Sequence, residues 1–439
     1  MDIVCHPTPL SGALPAISSK SIAHRLLILA AVSSCTTDVH CSTTSADIEA
    51  TAGCLRALGA RVTRTQVGYR VVPVPEATRR PARPARVDCG ESGSTLRFLV
   101  PVICALGGPV EVVGHGRLAD RPLEPLLSEL RAHGATISEE GSFPLKVSGP
   151  ISPGRFRLPG DVSSQFVSGL LLASPLLGGP VEVAVTEPVE SLPYVNLTTS
   201  ALATFGVDVS VRHEEEGGEG LTVFSLAPAG SRPASPGLCE VEGDWSNAAF
   251  WLAAGALSDG GVAVTGLDLS SAQGDRSILA ALSCFGARVA RRGGAARVTK
   301  DRPRATTLDV SDFPDLVPPL AAVAALCPGT TRLTHAGRLR LKESDRLETV
   351  SAALRSLGAD ARAEGDDLVI VGRESLLGGE VDSANDHRIA MMAAVAATRA
   401  TGDVTIRGAE CVSKSYPAFF EDYGLLGGSV TRKGDEHAL

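Results

Sequence analysis

Two stretches, LPGDVSSQFVSGLLLASPLLGGPVEVAV (Leu158–Val185) and VEGDWSNAAFWLAAGALSDGGVAVTGL (Val241–Leu267), follow one plan. Each opens on a polar Gly-Asp turn, runs through an apolar segment rich in Ala and Leu, breaks at Gly, and closes on a Val-rich stretch. The turn offers N-cap residues, the middle reads as a helix without a polar face, and the end reads as a strand. The plan occurs six times. Its polar heads are SSKSIAHR at Ser21, GESGSTLR at Ser94, GDVSSQF at Ser163, GDWSNAAF at Ser246, DFPDLVPP at Asp315 and NDHRIAMM at His387, spaced roughly 70 to 80 residues apart. A second signal keeps the same beat. Gly59, Gly134, Gly206, Gly286, Gly358 and Gly427 each end a helix-like tail and precede a strand-like stretch, where a left-handed C-terminal residue is expected.

Each repeat therefore holds two helices. One is amphipathic, as in DIEATAGCLRAL and DRLETVSAALRSL; the other is apolar nearly all round, as in FVSGLLLASPLL and MMAAVAATRA. A helix apolar on every side must lie inside its domain. The expected fold is α/β (α+β), with two similar domains of three units, apolar helices within and sheets outside. The breaks between domains are expected near the first head and near PASPGLCEVEGD, whose Pro and Gly residues suit a linker.

The first head poses a separate question, because Val32-Ser33-Ser34-Cys35 after an apolar run resembles a lipoprotein cleavage box. The preceding segment is long, contains Asp2 and three prolines, and keeps Arg25 beside the apolar run, all unlike a signal peptide. Membership in a set of six heads explains the run better. The expected location is the cytoplasm. The ten cysteines lack a CxxC pair and read as reduced core thiols. No apolar run has the length of a membrane span.

The chain has 439 residues, enough for two domains, and carries a net charge of −8. With aromatics at 4%, it offers neither the basic field nor the stacking platforms of a nucleic-acid binder. Any anion must be held locally. A helix N-terminus presents unpaired N–H groups and about half a positive charge. N-capping accounts for one Ser per head, but not for Lys20, Arg25, Arg97 and Arg388 in or just inside apolar helices, since a buried cation without an anion is costly. GHGRLADRPLEPL adds Arg117 and Arg121 in a Gly-flanked loop, and RLRLKESDRLE adds Lys342 and Arg346, four apart and so expected on one helix face beside Glu343. Lys414 stands alone in CVSKSYPAFFED.

Taken in order, these stretches resemble the 5-enolpyruvylshikimate-3-phosphate synthase family of enolpyruvyl transferases from about Leu14 to Tyr423. The resemblance implies two domains of three βαβαββ units (an inverse α/β barrel) and two crossings of the chain between them, so that residues 20–239 form one domain and residues 1–19 plus 240–439 the other, with an active site in the cleft between domains. It implies transfer of the enolpyruvyl group of phosphoenolpyruvate to the 5-hydroxyl of shikimate 3-phosphate with release of phosphate, on the way to chorismate. SKSIAHR implies Lys20 on phosphoenolpyruvate and shikimate 3-phosphate, with Ser21 and Arg25 on the latter. ESGSTLR places Gly93, and DRP places Arg121, by the phosphoenolpyruvate phosphate. VSSQF supplies Ser163 and Ser164 for shikimate 3-phosphate and Gln165 between the substrates, and ESLPY supplies Ser191. Asp315 in FPDLV matches the catalytic carboxylate near the 5-hydroxyl. RLKESDR gives Lys342 to shikimate 3-phosphate, Glu343 to proton transfer and Arg346 to the phosphoenolpyruvate carboxylate, which Arg388 of NDHR also grips. Lys414 closes over the phosphoenolpyruvate phosphate. The chain departs from the usual pattern at Ile17-Ser18, often Pro-Gly, and at Glu91 and Arg338, often Asn.

The chemistry suits these residue types. Both substrates carry a phosphate and a carboxylate, so bringing them together needs Lys, Arg and helix dipoles. Arg346 and Arg388 can hold a carboxylate bidentately. Asp315, kept charged by cations, is the candidate base for the hydroxyl, and Glu343 and Lys20 are the candidate donors to the methylene carbon. No metal or other cofactor is called for, because Lys and Arg supply the charge. A monomer is expected, with the phosphonate glyphosate as an inhibitor in the phosphoenolpyruvate site. Two rivals share the fold: the UDP-N-acetylglucosamine enolpyruvyl transferase, whose loop cysteine is missing from GHGRLADRP, and a noncatalytic anion-binding protein, against which Asp315 and Glu343 argue.

Overall fold

The computed structural model describes residues 1–75, 84–141, 143–228 and 232–434. One repeat illustrates all six. Gly154–Leu158 pairs parallel with Val181–Thr186, which pairs antiparallel with Glu219–Leu226, which pairs antiparallel with Ser210–Glu216. A buried helix, Ser164–Ala173, makes the parallel crossover. A second helix, Leu192–Thr204, leads into the final hairpin. The order of strands across each sheet is first, second, fourth, third, and six four-stranded sheets share it. The mixed α/β architecture expected from the repeats is therefore present.

The crossover helices are apolar because they are enclosed. Every residue from Ile22 to Val32 of Lys20–Val32 is buried, as is every residue of Trp245–Ala256. Gly169 shows how closely they pack: a Cβ there would lie 2.4 Å from the carbonyl oxygen of Arg97 in the helix Gly93–Leu106. All six glycines that end the amphipathic helices adopt positive φ, from 71° to 107°. A side chain with a Cβ rarely adopts that conformation, so the glycines stop the helices where the sequence marks them.

Three strands depart from simple sequence order. The sixth repeat obtains its last strand from the start of the chain, where Ile3–His6 lies between Val404–Arg407 and Ser429–Arg432. Gly12–Pro15 opens the sheet of the fourth repeat by pairing with Val262–Thr265, and Leu238–Glu240 opens that of the first by pairing with Thr37–His40. The chain forms two compact units, Lys20–Val241 and Met1–Ser19 with Glu242–Leu439. The composition break at PASPGLCEVEGD lies close to the second crossing, but its middle, Leu238–Glu240, is ordered as a strand. Cys239 is buried there, and the N–H of Val241 still bonds the carbonyl of His40 at 2.9 Å. Each unit has its own large apolar core. Among the described residues no helix is long and apolar enough to cross a membrane.

Candidate active site

In the unit Lys20–Val241, the heads of three buried helices converge through side-chain bonds. Lys20, the first residue of its helix, donates to Asp47 at 2.8 Å, and both are largely shielded. Arg25, one turn further in, is 2% exposed. Its guanidinium donates to the carbonyl oxygens of Ser21 (2.6 Å) and Tyr194 (2.8 Å) and to the hydroxyls of Thr198 (2.7 Å) and Ser168 (3.3 Å). It also stacks 4.8 Å from the Phe98 ring centroid. All four oxygens are neutral. Burial without a carboxylate pushes this guanidinium down to about 9, which makes it a cation waiting for an anion. Beside it, His24 is held neutral by burial and by the Lys20 and Arg25 charges.

The second and third heads are tied together by Gln165. Its amide accepts from Arg97 at 2.9 Å and donates to Ser94 at 2.9 Å. Arg97 also donates to the carbonyl of Pro122 at 2.8 Å, which fixes the loop behind Arg121. The Arg121 guanidinium lies against Gly93 so closely that a Cβ on Gly93 would meet Nη1 at 2.4 Å. Ser163 is the N-cap of Ser164–Ala173, its hydroxyl accepting from the Gln165 N–H at 3.3 Å, and Ser164 is buried at the first helical position. Ser191 holds a left-handed φ of 55° just before the helix that brings Tyr194 and Thr198 to Arg25. A strained backbone at a candidate ligand position is the pattern of a functional site.

The other unit gathers a charged network around Asp315, which lies in the short turn Pro314–Leu316 ahead of the fully buried helix Val317–Ala324. Its carboxylate meets Arg346 at 2.8 Å, Arg388 at 3.1 Å and Lys342 at 3.3 Å. Burial alone would raise its proton affinity, but Arg388, Lys342 and Arg346 hold the carboxyl well below the usual range. Arg346 also donates to Glu343 at 2.6 Å and to Asp386 at 2.8 and 3.2 Å. Asp386 caps the helix His387–Ala397 through the Arg388 N–H at 3.0 Å, and it accepts from Ser344 at 3.0 Å. Lys414 reaches the neighbouring carbonyl of Asn385 at 2.6 Å. Ala384 and Asn385, just ahead of that cap, have φ of 50° and 54°.

The expectation that Lys342 and Arg346 share a helix face is corrected. Asp345 takes the N-cap, the helix begins at Arg346, and Lys342 ends the preceding turn Gly337–Leu341. The two cations meet at Asp315 instead. All fifteen expected site residues fall into these two clusters, Lys20, Ser21, Arg25, Gly93, Arg121, Ser163, Ser164, Gln165 and Ser191 in one, and Asp315, Lys342, Glu343, Arg346, Arg388 and Lys414 in the other. Asp47, Thr198 and Asp386 were not anticipated. Only Asp386, an Asp immediately before an apolar run, carried a local signal. Among the described residues no group of His, Cys, Asp and Glu could hold a metal ion.

Residues 4–423, which span both clusters, match the family described as EPSP synthase (3-phosphoshikimate 1-carboxyvinyltransferase). The chain belongs to the EPSP synthase family. It is 39% identical to the 3-phosphoshikimate 1-carboxyvinyltransferase of Clostridium kluyveri and 38% identical to that of Clostridium acetobutylicum, with 97% of each chain covered in both cases. The EPSP synthase of Acinetobacter baumannii superposes with a TM-score of 0.79 at 27% identity, covering 98% of this chain and all of that one. Membership in the EPSP synthase family thus agrees with the six-repeat fold and with full-length coverage.

Proposed function

We infer that this protein is a 3-phosphoshikimate 1-carboxyvinyltransferase, joining the 5-hydroxyl of shikimate 3-phosphate to C2 of phosphoenolpyruvate and expelling phosphate. The observation that carries the reading is Asp315, a carboxylate kept ionised by three cations within 3.3 Å. In the proposed assignment, Arg25, Ser21, Ser163, Ser164, Ser191 and Lys342 hold shikimate 3-phosphate. Lys20, Arg121, Lys414 and the close backbone at Gly93 receive the phosphate of phosphoenolpyruvate, and Arg346 and Arg388 receive its carboxylate. Gln165, fixed at both ends of its amide, lies between the substrates. A site shared by the two units belongs to this proposal, since each unit supplies part of the set.

The ion pairs suggest how the base is armed. A carboxylate so strongly stabilised is a weak base. The carboxylate of phosphoenolpyruvate competes for the N–H groups of Arg346 and Arg388 that Asp315 now uses. As it takes them, Asp315 loses stabilisation and gains proton affinity at the moment the 5-hydroxyl must lose its proton. The oxygen then attacks C2, the methylene carbon takes a proton from Lys20 or Glu343, and a tetrahedral adduct forms. Collapse of the adduct returns a proton from the methyl group and expels phosphate into the cationic cluster. We place the enzyme in the cytoplasm as a monomer, with glyphosate competing for the phosphoenolpyruvate position.

The test is phosphate release from shikimate 3-phosphate and phosphoenolpyruvate. Turnover with this pair and none with UDP-N-acetylglucosamine is expected; the reverse result overturns the reading.

A further inference from the structure

The unit Met1–Ser19 with Glu242–Leu439 contains a second cationic concavity, at the opposite ends of the helices whose heads carry Asp315 and Arg388. It is open to solvent on one side and has a volume of about 470 Å³, within the range of small-molecule sites. Its apolar lining comes from the tails of buried helices, with Leu257 after Trp245–Ala256 and Leu326 after Val317–Ala324 buried and Pro328 exposed beside them. Its rim carries Lys300, Arg373 and Arg399, against one acidic residue, Glu374.

These cations are not needed to finish the helices. The carbonyl of Ala325 is bonded by the backbone N–H of Arg373 at 2.9 Å, that of Ser258 by the N–H of Lys300 at 3.0 Å, and that of Ala396 by the N–H of Arg399 at 3.2 Å. The side chains of Arg373 and Arg399 make no hydrogen bond or ion pair among the described residues. Among the described residues Lys300 has only the largely exposed Asp259, at 3.9 Å. The repeat itself supplies a control. Where Lys300 follows its strand, the three sheets of the other unit have Pro73, Gly149 and Ala227; where Arg399 follows its helix, two of that unit's crossover helices have Ser34 and Gly108. The fold is thus built without cations at the positions of Lys300 and Arg399.

We propose that this cavity is a binding site, separate from the substrate site, for a small carboxylate carrying an apolar body. The carboxylate sits between Arg373, Arg399 and Lys300, and the body lies on Leu257, Leu326 and Pro328. Two guanidiniums suit the planar, bidentate geometry of a carboxylate. An apolar lining of this size disfavours a bare inorganic anion, which would be desolvated without a hydrophobic return.

Phenylacetate is the probe, titrated calorimetrically into the full-length protein beside acetate, which lacks the body, and benzyl alcohol, which lacks the charge. Phenylacetate should bind at least tenfold more tightly than either. Arg373→Ala and Arg399→Ala should each weaken it about tenfold while leaving the melting temperature of the free protein unchanged, which shows that the variants fold. Arg25→Met, in the substrate cluster, should leave phenylacetate binding as it was. Equal binding of the three probes, binding retained in the Arg373→Ala/Arg399→Ala double variant, or binding lost in Arg25→Met would each overturn the proposal. Because the readout is binding, it stands or falls independently of the enzymatic reading.

Discussion

At the scale of single residues, charge placement separates binding from stability. Arg25 is buried among neutral oxygens, so its charge costs the ligand-free fold more than it returns. Its partners keep other bonds: the single Thr198 hydroxyl hydrogen has the Ser168 oxygen at 2.8 Å and the Tyr194 carbonyl at 3.3 Å as alternative acceptors. Arg25→Met should therefore leave the ligand-free melting temperature equal or higher, while kcat/KM for shikimate 3-phosphate falls at least 100-fold; scanning calorimetry and phosphate release check the two halves. Lys342 is pushed down by burial from an ordinary 10.5 to about 8. Between those values the folded chain binds fewer protons at this group than the unfolded chain, so the group makes the fold gain stability as pH rises. Substrate binding runs the other way. If Lys342 must be charged to hold shikimate 3-phosphate, kcat/KM for it falls above about pH 8, and Lys342→Arg should move that limb upward in a pH–rate profile. Gly93→Ala should drive the Arg121 guanidinium from its place, raising KM for phosphoenolpyruvate and the half-inhibitory glyphosate concentration about tenfold or more in steady-state assays. The sequence offered these cations by their improbable positions in apolar helices. It could not show their partners, because Asp47, Asp386 and Thr198 lie 27, 40 and 173 residues from Lys20, Arg346 and Arg25.

At the scale of elements, helices were legible and strand partners were not. Positive-φ glycines and continuous apolar runs are local signals, and each ends or starts an element close to where it stands. The boundary at Arg346 was misplaced because KESDR offers several polar residues, and only the Asp345 side chain bonding the Glu348 N–H at 3.2 Å selects the cap. Strand pairing is harder to read, since Ile3 aligns with Ile406 and Cys5 with Val430, and nothing near position 3 announces a partner 400 residues away. Ile3–His6 is an inner strand, with neighbours on both sides. Deleting residues 1–8 should separate Ser429–Arg432 from its sheet and expose apolar edges. The expected outcome is an insoluble product, or a melting temperature lowered by several degrees, measured against the full-length chain.

At the scale of the whole molecule, the proposal of one site served by both units has a mechanical consequence. Substrates held by residues of both units should draw them together and exclude water. Small-angle scattering should show a smaller radius of gyration with shikimate 3-phosphate and glyphosate than without; an unchanged value would count against a shared site. The sequence by itself determined the sixfold period, the enclosed helices and the set of residues that could hold anions, because each is written in neighbours a few positions apart. The tertiary structure alone decided that the chain's first strand completes its last sheet, that Gly12–Pro15 and Leu238–Glu240 each open the sheet of a distant repeat, and that Asp315 and Asp386 hold Lys342, Arg346 and Arg388 while Arg25 is left without a carboxylate. Hydrogen bonds between strands and ion pairs between helix heads depend on distance in space, and a chain that turns back on itself six times gives that distance no counterpart in sequence.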